Sequence, residues 1–337
     1  MIGVAPAKVI LSGEHAVVYG APALAVAVRR YARVASLPAL HAGQLTLELP
    51  DLNLAVHYDY AQLAAEATQS RVRYAAFLDG RLPIGDVVSP AQLLLAALVE
   101  LIGDTSERWP ERGLRFAVRS DIPPGAGMGS SAAVVAALLR VAATRLDITI
   151  DTPALWRKVV AAEQLQHGRS SGLDPAVCLW GGVIEYRQGR CRPLAAELPG
   201  KWRLVASGAP LSATGECVEQ VRCGFAASDI WAQFAATTTA LGQALSERDP
   251  LALRDQLQAN HRLLCRIGVV PAPVQRFIQH VEQLGGAAKI CGAGAVRGDA
   301  GGMILVYHPE AVRLPPLPVG YATLDMELDF DGARVRS

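Results

Sequence analysis

The chain has 337 residues, 51% hydrophobic and 19% charged, enough apolar material for one large or two smaller cores and too apolar for disorder. Its 32 basic and 31 acidic residues leave a formal charge of +1, so no global field favours nucleic acid or an anionic membrane. No apolar run reaches a membrane span, no signal-like leader is expected, and six cysteines (178, 191, 217, 223, 265, 291) without C-x-x-C spacing read as reduced thiols of a cytoplasmic protein.

In chain order, the first sixty residues read as strands at 4–11, 16–20, 22–28, 32–37, 45–50 and 53–58, punctuated by Gly and Pro. PAQLLLAALVELIG (90–103) predicts a helix, and GLRFAVRSDI (113–122) alternates as a half-buried strand. A glycine loop follows, PPGAGMGSSAA (123–133), then a helix over 132–146 with Ser130 or Ser131 as its N-cap. Thr152 as N-cap and Pro153 at the first helical position open a helix that runs to Gln166 and stops near Gly168. A strand is expected at 181–187.

The second half begins with a strand at 202–208. Helices follow around 228–246, 249–267 and 271–285, then strands at 287–294 and 303–308. After a Pro-rich connector (313–320), the tail 323–335 alternates and carries Asp331-Gly332 as a hairpin turn. The class is α+β, with units at 1–195 and 196–337 and the last strands free to return to the first unit.

The chemistry concentrates in glycine-bearing segments. Glycines at 125, 127 and 129 permit backbone conformations closed to other residues and remove side chains that would fend off a bulky anion. A Gly-rich turn feeding a helix presents unpaired N–H groups and the positive end of the helix dipole, which makes an anion site. It is not the P-loop pattern, since no Gly-Lys-Ser/Thr follows, and the plainer alternative is a tight turn before a close-packed helix. Of the 32 basic residues only four are lysines (8, 158, 201, 289), and Lys8 and Lys289 both stand in Gly-containing segments. A lysine is a compact point charge where arginine is a planar fork, so those two positions look chemically constrained.

Five segments in order, APAKVILSGEHAVVYGAPALAVAV (5–28), PPGAGMGSSAAV (123–134), AAEQLQHGRSSGLD (161–174), NHRLL (260–264) and KICGAG (289–294), resemble the GHMP kinases over nearly the whole chain. Within that family the Gly13-Glu14-His15 phrase, the HGxxSGxD pattern and NHxLL are most similar to the mevalonate kinase branch. The resemblance implies a two-domain fold, an N-terminal mixed α/β domain and a C-terminal ferredoxin-like α+β domain, with the active site in the cleft between them. It implies ATP as co-substrate, Mg²⁺ as cofactor and transfer of the γ-phosphoryl group to the 5-hydroxyl of mevalonate. Residues Pro124, Gly125, Ala126, Gly127, Met128, Gly129, Ser130 and Ser131 would cradle the nucleotide phosphates. Ser131 and Glu163 would hold the metal, a hard-ligand set suited to it. Asp174 would take or orient the acceptor's proton, with Lys8 pairing to it, and Glu14, His15 and Thr214 would line the acceptor pocket.

On their own, Glu163 is also readable as a solvated helix-face acid, Asp174 as a turn former, and His15 as a packed or surface histidine. Asn260 and His261 read as packing and capping at the junction of the two halves. Lys289 and residues 292–294 would close a third loop over the phosphate end, and the adenine pocket is expected among residues 50–110. The chain departs from the family at Arg169-Ser170, where Pro-Ser is commoner, at Val134, and at Arg297 and Asp299, which lengthen the third loop. Arg297 is either part of a surface loop or a reach toward the phosphates or the acceptor carboxylate. Another acceptor (a phosphorylated mevalonate, a sugar or an amino alcohol) and a silent nucleotide binder stay open, the latter disfavoured because Lys8, Glu163 and Asp174 occur together. The partners implied are small molecules, without nucleic acid or membrane, and a homodimer is compatible with the resemblance.

Overall fold

The computed structural model describes residues 1–103, 109–195 and 197–336. β1 (Ile2–Ser12) is apolar on both faces and is buried along nearly its whole length, the signature of a central strand. It pairs antiparallel with β2 (Ala23–Leu37), a single 15-residue strand where the sequence suggested two. The apparent break at residues 29–31 marks a change of neighbour. Residues 23–26 of β2 pair with β6 (Val183–Arg187), and residues 32–37 pair with β5 (Leu114–Ser120).

β3 (Gln44–Leu49) joins β5 in parallel and β4 (Leu54–Asp59) antiparallel, while β7 (Arg190–Leu194) extends β6 as a hairpin. Between these strands lie α1 (Tyr60–Leu78), α2 (Pro90–Ile102), α3 (Ser130–Arg145), α4 (Thr152–His167) and α5 (Leu173–Trp180). α3 is rich in alanine, with Ala132, Ala133, Ala136 and Ala137 fully buried. Small side chains let it lie close against β1 and β2, which brings its N-terminus beside Lys8.

The second sheet, β8 (Lys201–Ala206), β9 (Ala287–Ile290), β10 (Met303–His308) and β11 (Ala322–Asp325), is antiparallel in the order β11-β8-β10-β9, a ferredoxin-like arrangement. Its helices are α6 (Thr214–Phe225), α7 (Ile230–Glu247), α8 (Pro250–Arg266) and α9 (Ala272–Gln283). α7 and α8 pack on β1, so the two sheets share an interface. The chain then returns to the first sheet, where β12 (Arg334–Arg336) pairs with β1.

Several local expectations need correction. Residues 16–19 form a 3₁₀ turn, not a strand, because His15 and Gly20 both take positive φ and curl the segment on itself. α1 was not foreseen; only Leu63, Ala67 and Ser70 of it are buried, so its apolar face is narrow. Gly129 caps α3, and Ser130 and Ser131 lie inside its first turn; likewise Asp151, not Thr152, caps α4 by accepting from the Ala154 N–H. The tail forms no hairpin, since β11 belongs to the second sheet and β12 to the first. At 331–332 the Asp329 carboxylate accepts both backbone N–H groups instead. The first residue of the expected second unit, 196, lies outside the described residues.

Candidate active site

The glycine loop connects β5 to α3, and Gly125, Gly127 and Gly129 all adopt positive φ (66°, 77° and 69°). At Gly129 a side chain is excluded twice over: the backbone is left-handed, and a Cβ would sit 2.9 Å from Lys8 Cγ. Lys8 in turn donates its backbone N–H to the Met128 carbonyl at 3.0 Å, so β1 and the loop are laced together. At Gly127 a Cβ would meet the Cys291 carbonyl at 2.4 Å. The KICGAG segment therefore backs the loop from behind. None of residues 292–294 lines the cavity.

The first turn of α3 carries Ser130 and Ser131. The Ser131 hydroxyl donates to Glu163 Oε1 on α4 at 2.6 Å, while Glu163 Oε2 lies 3.7 Å from His167 Nε2 one turn on. Glu163 is 3% exposed, and burial raises its carboxyl above the ordinary value, with His167 and Ser131 offsetting part of the shift.

Asp174 belongs to the first turn of α5, not to a free loop. The segment before it is pinned: Trp156 Nε1 donates to the Gly172 carbonyl at 2.9 Å, and the Ser170 and Ser171 hydroxyls accept from the N–H groups of Gly172 and Leu173. Asp174 Oδ2 stands 3.3 Å from Lys8 Nζ. The lysine side chain is 2% exposed and the carboxylate 32%, so the pair presents its acidic member outward.

A cavity of about 580 Å³ opens over these groups. One wall is apolar, from Leu49, Leu52, Pro90, Leu93, Leu94 and Val118; the other holds the glycine loop, Glu163, Asp174, Arg169 and Thr214. A space of this size, apolar at one end and rich in N–H donors at the other, suits a nucleotide. The apolar wall was not located residue by residue from the sequence, because it draws on β3, α2 and β5, and no local motif marks it.

Glu14, His15 and Lys289 are placed differently from Asp174. None of the three lines the cavity. Glu14 is 1% exposed, with Lys289 Nζ bonded to its Oε1 and Asn260 Nδ2 donating to its Oε2 at 3.2 Å. Lys289, fully buried, also donates to the Ile10 carbonyl at 3.0 Å. Asn260 accepts from Ser12, whose hydroxyl lies 2.7 Å from Thr238 Oγ1, so this network joins β1 to α7 and α8. His15 Nε2 donates to the Ala293 carbonyl at 3.0 Å, and burial lowers its pKa. Arg297 does not reach the cavity either: it forms a two-pronged ion pair with Glu216 at 2.6 and 2.8 Å on the surface.

This chain belongs to the GHMP kinase family. The model of the GHMP kinases N terminal domain matches residues 93–182. A mevalonate kinase of Pyrococcus horikoshii is 30% identical over 318 residues, covering 86% of this chain and 84% of that protein. The human mevalonate kinase is 27% identical, covering 99% and 94%. The crystal structure of the Methanococcus jannaschii mevalonate kinase superposes with a TM-score of 0.72 at 21% identity, covering 91% of this chain and 90% of that one. A Lactococcus lactis galactokinase reaches the same TM-score at 13% identity, so fold alone does not choose the acceptor.

Proposed function

We propose that this enzyme transfers the γ-phosphoryl group of ATP to the 5-hydroxyl of mevalonate. The observation that carries the reading is the Lys8–Asp174 pair at 3.3 Å, set against the glycine loop and exposed to the cavity through its carboxylate. The mevalonate kinases above, similar over most of the chain, favour mevalonate over a sugar or an amino alcohol.

In this reading residues 124–131 receive the triphosphate through loop N–H groups and the N-terminus of α3. The adenine lies against Leu49, Leu93 and Val118. Asp174 accepts the proton of the 5-hydroxyl as its oxygen bonds to the γ-phosphorus and the bond to the β–γ bridging oxygen breaks, releasing ADP. Lys8 holds Asp174 in place and stabilises charge building on the transferring group. The Glu163–Ser131 pair fits a magnesium ion: a buried carboxylate raised by desolvation, joined to a hydroxyl, is a hard oxygen set short of positive charge. When bound there, Mg²⁺ would neutralise phosphate charge. Thr214, on the cavity wall, is left as an acceptor contact; Glu14 is read as a buried support and His15 as a neighbour that shapes the loop.

No helix among the described residues is long and apolar enough to cross a membrane, and the six cysteines are free. A coupled ADP-release assay over mevalonate, phosphomevalonate, galactose and homoserine tests the reading. Mevalonate is expected to give the highest kcat/KM; a stronger response to any other acceptor overturns it.

A further inference from the structure

A second cavity, about 740 Å³, adjoins the first on the side away from the glycine loop, between residues 17–20, α1 and the end of α4. Val18, Arg169, Ser170 and Ser171 line both, and no residue of the glycine loop lines the second. Arg169 is the one lysine or arginine among the residues lining either cavity.

Its guanidinium makes no hydrogen bond or ion pair among the described residues. The other cations nearby are taken: Lys8 by Asp174, Lys289 by Glu14, Arg222 by Glu219 and Arg297 by Glu216. The backbone that carries Arg169 is held on both sides. Tyr74 donates its hydroxyl to the Gly168 carbonyl at 2.8 Å, and the Ser170 hydroxyl accepts the Gly172 N–H. An exposed planar cation on a held backbone, within electrostatic range of Glu219 but free of any hydrogen bond or ion pair among the described residues, stands where the two cavities meet, and a carboxylate entering there finds it as the one lysine or arginine on the lining.

The triphosphate already has the loop amides and the α3 terminus on the opposite side. Mevalonate brings a second anion, its C1 carboxylate, at the other end of the molecule from the hydroxyl that Asp174 serves. Resting on the acceptor assignment above, we propose that Arg169 is the specificity residue that binds the acceptor's carboxylate, admitting hydroxy acids from the second cavity and discriminating against neutral polyols. Arginine at this position makes a forked contact with a carboxylate, which a lysine reproduces only in part.

The test compares wild type, Arg169→Ala and Arg169→Lys on mevalonate and on 3-methylpentane-1,3,5-triol, which replaces the carboxylate by a carbinol. Arg169→Ala is expected to raise the mevalonate KM roughly tenfold or more, with the ATP KM held within about twofold and kcat/KM for the triol unchanged. Arg169→Lys should recover part of the mevalonate KM. A parallel rise in the ATP KM would assign the guanidinium to the phosphates, and an equal loss on the triol would make its role structural. Either result, or unchanged kinetics throughout, overturns the inference while leaving the kinase reading intact. A wild-type enzyme inert toward mevalonate overturns the acceptor assignment and this inference together.

Discussion

Two lysine–carboxylate pairs stand at either end of one stretch of backbone, and they serve opposite ends. Lys8 and Asp174 meet at the cavity with the acid 32% exposed; Lys289 and Glu14 meet in the interior at 0% and 1%. The first pair leaves its carboxylate partly open to the cavity, so an incoming hydroxyl can find an acceptor there. The second has every charge matched by Asn260 and the Ile10 carbonyl, with nothing left to offer. Identical functional groups become chemistry or scaffolding according to which side of the core they face. A buried pair contributes little net stability, yet losing one member is costly because the other is left unpaired out of water.

That contrast can be broken from its strongest side first. Asp174→Asn should cut kcat by about 10³–10⁴ while ATP affinity, read by calorimetry, stays near wild type. Lys8→Ala is expected to lower kcat by roughly 10²–10³, the effect of removing a cation that in the proposed mechanism stabilises developing charge; a loss under about tenfold would remove it from the centre. Glu14→Gln or Lys289→Met should instead destabilise the fold by about 3–5 kcal/mol in urea unfolding, and pairing the two changes should regain part of that. Single variants with wild-type stability but no turnover would make the buried pair catalytic.

Glu163 gives the smallest and sharpest test. Its folded-state pKa is raised, so between the ordinary 4.5 and the raised value the folded protein holds a proton that the unfolded chain has released. Stability without nucleotide therefore rises as pH falls through that window. Glu163→Gln should raise the Tm of the nucleotide-free protein by a few degrees at neutral pH and flatten that part of the pH profile. The same variant should lose the Mg²⁺-dependent part of the ATP-induced thermal shift. A drop in Tm would mean that the ionised carboxylate is stabilising.

The glycine loop was legible from its residue types, while Lys8, Glu163 and Asp174 drew their expected roles from motifs shared with the family, since Glu163 and Asp174 alone read as a helix-face acid and a turn former. The contrast between the two lysine pairs was not legible. Lys8 and Lys289 look equally constrained in the chain and are both buried; what separates them is the exposure of their partner carboxylates, 166 and 275 positions away in sequence. Glu14 was expected in the acceptor pocket for the same reason: the motif names the residue, while α8 and β9 decide where its carboxylate goes. The fold class and the ferredoxin-like second half followed from periodicity and family resemblance. The 3₁₀ turn at 16–19 did not, since its valines look like a strand until His15 and Gly20 turn the backbone left-handed. The tail misled through local alternation, as its two ends join different sheets.

The central claim is that phosphoryl transfer happens at the exposed pair. A rapid-quench single turnover with γ-labelled ATP and mevalonate, run on wild type and Asp174→Asn with nucleotide bound to both, tests it most directly. The label should pass to the mevalonate 5-oxygen in the wild type and stay on ATP in the variant. Label that moves equally fast in both would contradict the account.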